Sequence, residues 1–170
     1  MARIVCFLAL LSVFVFAWGP LQLVADSEKK GWLSEDWQDA RKQVQSHFRG
    51  FDVAMMEVGH RFRELFFAGQ DENWDYADYQ LEKIKTAIRL AMERRPKRAQ
   101  SAATFLENDL LDVERLMKER SPASFDAGMR RLQTSCMKCH VAENVPFFTV
   151  QFPKNNSSPI RLHNEEGKSK

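Results

Sequence analysis

The stretch SPASFDAGMRRLQTSCMKCH, residues 121–140, decides how this chain folds. It opens with Ser121-Pro122, a helix cap followed by a proline suited to the first turn. From there Phe125, Met129, Leu132, Cys136 and Cys139 recur at steps of four, three, four and three, the stripe of an amphipathic helix. Both cysteines ride on that stripe, so the helix turns two thiols toward whatever it packs on.

The stretch ends in Cys136-Met137-Lys138-Cys139-His140, and C-x-x-C-H is the attachment signature of c-type haem. Two thiols three residues apart lie on one side of a helical turn, where they can add across the two vinyl groups of one haem. The histidine that follows then ligates the iron from below the ring. The expectation is one covalent haem c on Cys136 and Cys139, with His140 as the proximal iron ligand. A zinc site would need a second ligand group, another C-x-x-C or a closely spaced His pair, and the sequence has none. A thioredoxin-like dithiol would need a βαβ context, and nothing here reads as strand–helix–strand.

Toward the N-terminus the chain reads as an export signal. Met1 to Ala25 carries one positive charge, Arg3, then an apolar run from Ile4 to Trp18 and no acidic residue. Cleavage is expected after Ala25 or after Ala17. The apolar run is shorter than the roughly 20 residues a spanning helix needs. Cys6 goes with the signal, leaving Cys136 and Cys139 as the only cysteines. A structural disulfide is therefore not expected, and export explains the haem motif, since bacteria attach haem c outside the cytoplasmic membrane. The expected location is the periplasm.

After residue 25 the 23 acidic residues face 24 of the 25 basic ones, a near-neutral balance that excludes the strongly basic face of a nucleic-acid binder. About 145 residues make one domain with a single core. Four helices fill residues 26–145. Helix A starts at Ser34 with the stripe Trp37, Ala40, Val44, Phe48, Phe51, Met55, Val58, Phe62 and Leu65, and Gly50 or Gly59 is a point where it can bend. Helix B runs from about Glu72 to Arg95, with Ala77, Leu81, Ile84, Ile88 and Ala91 inward, and stops at Pro96. Helix C carries Leu106, Leu110, Val113 and Met117, and the 121–140 helix closes the set. Short connections predict an all-α, antiparallel up-down four-helix bundle with covalent haem c and an irregular tail over residues 146–170. That topology brings the turn Arg94-Arg95-Pro96-Lys97-Arg98 to the haem end, where Arg94, Arg95, Lys97 and Arg98 pair with haem propionates or form a docking patch for an acidic partner. Otherwise they are a solvated helix terminus.

For the sixth iron position, helix A offers Met55 on its stripe, His47 at the stripe's edge and His60 nearly opposite it. His163 in the tail is a further, weaker candidate. Asn73, Trp74, Tyr76 and Tyr79 belong to the end remote from haem. Phe147, Phe148 and Phe152 flank a short β-like stretch, Thr149-Val150-Gln151, expected to fold over the haem end.

The architecture resembles cytochrome c-prime, periplasmic four-helix haem proteins with the motif on the last helix. It departs from that group in Val141-Ala142-Glu143-Asn144 and in the long tail. A closer similarity is to a family of small exported haem c proteins of undetermined role. It is carried by Gly59-His60-Arg61-Phe62, Leu65, Ala68-Gly69, Asn73-Trp74, Tyr76-Ala77, Tyr79-Gln80, Glu82-Lys83-Ile84, Glu93 to Ala99, Cys136 to Glu143, Phe147-Phe148 and Ser158 to Arg161. The resemblance implies a haem c helical bundle and no known reaction. The expected function is electron transfer with a periplasmic redox partner. The alternative is binding or sensing of a small gas, NO or CO, at an open iron. An enzyme such as a peroxidase would need a distal acid–base pair, and only His60-Arg61 hints at one, so none is expected.

Overall fold

The computed structural model describes residues 31–160, which are helical with no strand among them. The expected signal peptide and the end of the tail, with His163, lie outside the described residues. The chain divides between Gln45 and Ser46. The first helix, α1 (Trp37–Phe48), crosses that division and is capped by Asp36, whose Oδ1 accepts from the Asp39 amide at 2.9 Å. Ser34, the expected cap, instead accepts from the Asp36 amide. Only Ala40 of α1 is buried, and Trp37 and Phe48 are exposed.

The stripe expected to run unbroken from Trp37 to Leu65 is interrupted. Arg49 takes a left-handed φ of 53° and Gly50 an extended conformation, so the helical register ends at Phe48 and restarts at Phe51. The break comes at Gly50, one of the two glycines that could bend it. Gly59 lies mid-helix and causes none.

Four helical rods follow: α2 (Phe51–Gln70); α3 (Trp74–Arg94); a third composed of α4 (Ala99–Thr104), a π turn (Phe105–Asp109) and α5 (Leu110–Met117); and α6 (Pro122–Ala142). A 3₁₀ turn, Pro96–Arg98, joins α3 to α4. The all-α class and the four helices read from periodicity are what the chain forms. Phe62, Leu65, Leu81, Ile84, Ile88, Phe105, Leu110, Val113, Phe125, Met129 and Leu132 make the core. Among the described residues no helix is long and apolar enough to cross a membrane.

Local chemistry sets each rod's ends. At the start of α3, Asn73 Oδ1 accepts from the Tyr76 amide at 3.3 Å. At the start of α6, Ser121 Oγ accepts from the Ser124 amide at 3.3 Å, with Pro122 in the first turn. The end of α2 meets the start of α6 at Gly69, where a Cβ would lie 2.1 Å from the Phe125 ring, so only glycine permits the approach. Trp74 packs on the same Phe125 at 5.9 Å, and Arg120 reaches from the α5–α6 turn to Asp75 and Asp78 on α3. At the other end, Gly50 packs under the Arg95 guanidinium, and Arg98 pairs with Glu143 just past α6.

The π turn moves the inward register of the third rod. Phe105 is buried where Leu106 was expected, and the buried set becomes Phe105, Asp109, Leu110, Val113 and Met117. Asp109 is thereby carried inside at 7% exposure.

Candidate functional site at the end of α6

Cys136 and Cys139 stand one helical turn apart on α6, both partly buried free thiols, with Cys136 packed against the core. Burial pushes the Cys136 thiol up to about 12, with the neighbouring Cys139 adding to the rise. Cys139 is also raised, by burial first and then by Glu143 and Asp109, against the opposing charge of Arg98. Asp109 reaches this face from the π turn, and its two carboxylate oxygens accept from Lys138 Nζ at 3.3 and 3.4 Å. Neither thiol is poised as a nucleophile, because both are held toward the neutral form.

His140 is fixed by the way α6 terminates. Asn144 adopts a left-handed φ of 60°, the Val145 amide bonds back to the His140 carbonyl at 2.9 Å, and the Asn144 amide to the Val141 carbonyl at 3.1 Å. This is a Schellman ending with asparagine at its left-handed position. Pro146 then begins a tight turn closed by the Phe148 amide on the Val145 carbonyl at 3.1 Å. The chain reverses, and the Phe148 carbonyl comes to 2.6 Å from His140 Nδ1. A carbonyl only accepts, so Nδ1 carries the proton, and in the neutral imidazole Nε2 is left with a bare lone pair. That is the state of a histidine that ligates metal through Nε2.

Beyond the turn the tail runs back along α6. Val150 accepts from Gln133 Nε2 at 2.8 Å and donates its amide to Met137 Sδ at 3.2 Å. Phe152 stacks on Phe62 and Phe66 of α2 at 5.9 and 5.5 Å. Ser158 ends on Glu64, a fully buried carboxylate that also accepts from Tyr76 and Arg63. The sequence suggested a cover over the end of the bundle and a β-like stretch at Thr149–Gln151. The segment has no strand partner among the described residues and lies lengthwise as a strap, because Gln133 and the phenylalanines of α2 draw it along the rods.

The cationic turn divides by residue. Arg98 is tied to Glu143, next to the motif. Arg95 donates to the Arg94 carbonyl at 2.9 Å and covers Gly50. Lys97 is exposed. Arg94 continues the inward series Ala87, Ile88 and Ala91 of α3 by one turn, and its Nε is buried with no acceptor. Of the helix A candidates, Met55 is half-buried against the core, whereas His47 and His60 are exposed. Arg63 Nη2 lies 3.0 Å from His60 Nδ1. Trp74, Tyr76 and Tyr79 sit at the start of α3, with Trp74 on Phe125, about 20 Å along α6 from Cys139 at 1.5 Å per residue.

Two functional elements escaped the sequence reading. Asn144 with Pro146 is a legible signal for a Schellman ending and a turn, and it could have placed the Phe148 carbonyl near His140. Asp109 had no such signal, because a uniform helical period puts it outside the stripe. Among the described residues no three His, Cys, Asp or Glu side chains cluster as a metal site. Compared with known proteins, the chain matches no family model, no curated protein and no solved structure.

Proposed function

We propose that this chain is a periplasmic mono-haem c-type cytochrome that transfers electrons, folded as an antiparallel up-down bundle after loss of an N-terminal signal. The observation that carries the reading is the C-x-x-C-H motif with the His140 Nδ1–H held on the Phe148 carbonyl, which leaves Nε2 available to iron. The donor set fits the group. Cys136 and Cys139 are both free and half-buried on one turn, as two thioether bonds require. The buried Arg94 Nε lacks an acceptor at the same end, and a propionate carboxylate supplies one. With four ligands from the porphyrin, the iron needs no cluster of protein ligands. When bound, the haem supplies a reversible one-electron change at iron. The residues here would attach it, orient its axial ligand and, through the exposed Arg95 and Lys97 of the turn, steer an acidic redox partner. The resemblance noted in the sequence implies a haem c helical bundle and no known reaction.

A second reading, binding or sensing of NO or CO at an open iron, draws on the sixth-ligand candidates. His47 and His60 are exposed, and Met55 is engaged with the core. The visible spectrum of the purified protein, oxidised and reduced, with and without CO, tests both. A low-spin spectrum unmoved by CO is expected for the electron carrier. A high-spin ferrous spectrum that shifts with CO selects gas binding instead. Absence of a haem band in protein from cells that mature c-type cytochromes refutes both.

A further inference from the structure

The Phe148 carbonyl orients His140, yet Phe148 itself is exposed and no side-chain burial holds it. What holds it is the next part of the strap. Gln133, Met137 and His140 lie at i, i+4 and i+7 of α6, on one face of the helix. The strap bonds to each of them in turn: Val150 carbonyl to Gln133, Val150 amide to Met137, Phe148 carbonyl to His140. The Gln133 bond, at 2.8 Å, has a strong donor, whereas a thioether sulfur is a weak acceptor. Two residues further on, Phe152 is locked between Phe62 and Phe66. The imidazole is therefore oriented at second hand, by a glutamine two helical turns back.

We propose that Gln133 is a positioning residue for the iron ligand: by pinning Val150 it keeps the Phe148 carbonyl on His140 Nδ1, and so sets how strongly His140 donates to iron. This rests on the haem reading above. A histidine whose second ring N–H is held by a carbonyl is a more basic ligand. Stronger donation favours the ferric over the ferrous state, so the intact strap lowers the reduction potential, and loosening it raises the potential.

The test uses the haem-bearing protein with the substitutions Gln133→Leu, which removes the donor, and Gln133→Lys, which keeps a donor of similar reach. The readouts are the midpoint potential and, where the ferrous iron is five-coordinate, the iron–histidine stretching frequency by resonance Raman. Gln133→Leu is expected to lower the frequency and raise the potential, and Gln133→Lys to return both toward wild type. If Gln133→Leu fails to fold, Met137→Leu keeps the side-chain volume, removes the sulfur acceptor, and should move both readouts the same way by less. Unchanged frequency and potential in a folded, haem-bearing Gln133→Leu or Met137→Leu protein overturn the role of the strap alone. A wild-type chain without covalent haem overturns the strap and the haem reading together.

Discussion

Replacing Gly69 and Gly59 separately by alanine makes the same chemical change twice in one helix, with opposite expected signs. Both glycines lie within α2. A Cβ on Gly59 meets nothing within 4 Å, so only the backbone term acts, and Gly59→Ala should stabilise by about 1 kcal/mol. A Cβ on Gly69 would stand 2.1, 2.1 and 2.4 Å from three carbons of the Phe125 ring. Ordinary contact begins near 3.5 Å, so the ring must retreat by more than an ångström. It has nowhere to go, because Phe125 is 1% exposed and is backed by Trp74 at 5.9 Å. Overpacking of this kind costs about 3 kcal/mol, at the upper end of the usual range. The same propensity gain of about 1 kcal/mol offsets part of it, leaving Gly69→Ala about 2 kcal/mol less stable. For a domain of this size that is a fall of roughly 6–10 °C in Tm. Thermal and urea unfolding followed by far-UV circular dichroism measure both variants, with the urea m-value checking that the transition stays two-state. A Gly69→Ala protein as stable as wild type would mean that α2 and α6 do not approach at Gly69, and the packing described for that end would be wrong.

Three other outcomes are expected. Asn144→Ala should cost about 1 kcal/mol, because alanine tolerates the left-handed φ of 60° less well than asparagine, while Asn144→Gly should cost little; thermal unfolding separates them. In the haem-free chain the raised Cys136 thiol makes stability fall as pH climbs above its ordinary value of 9.0 toward about 12, since the unfolded thiol loses its proton first. Cys136→Ala should flatten that alkaline limb, and an unaltered limb would show that the thiol is not buried in solution. Glu64→Ala should cost about 2–3 kcal/mol by stranding the Tyr76 and Ser158 hydroxyls, and should speed tryptic cleavage at the exposed Lys154 of the strap.

The parts of the fold legible in the sequence are those where one period runs uninterrupted. The stripe from Phe125 to Leu132 is fully buried, Cys136 packs against the core beside it, and Ser121-Pro122 caps the helix as read. Trp74, read as remote from the motif, packs on Phe125 in the first turn of α6. What stayed illegible depends on single backbone events. A left-handed Arg49 detaches α1 from the stripe that seemed to continue through it. One π turn shifts the third rod enough to bury Asp109 and half-expose Leu106, and no pattern of hydrophobic residues announces it. The strap was visible as aromatic residues but not as a path, since its route depends on a glutamine side chain bonding to backbone 17 residues away.

Placement also changes what the cationic turn can do. As sequence, Arg94-Arg95-Pro96-Lys97-Arg98 is a block of four positive charges at one end of a bundle. In the fold Arg98 is neutralised by Glu143, and Lys138 by Asp109, so the two charges nearest the thiols already have partners. Arg94 is half-buried, with its Nε shut off from water and without an acceptor. Arg95 is spent partly on a backbone carbonyl and on covering Gly50. Lys97 and Arg95 are the exposed cations of the turn. A steering field is the sum of solvent-facing charges within a Debye length of about 10 Å at 0.1 M salt, so this end would attract an acidic protein far less than its sequence implies. The buried Nε makes Arg94 a better partner for a half-buried anion than for a protein surface, because a charge-assisted bond gains most where water is excluded. A doubly anionic group attached at this end and an acidic protein docked there would therefore draw on different side chains, Arg94 for the first and Lys97 with Arg95 for the second.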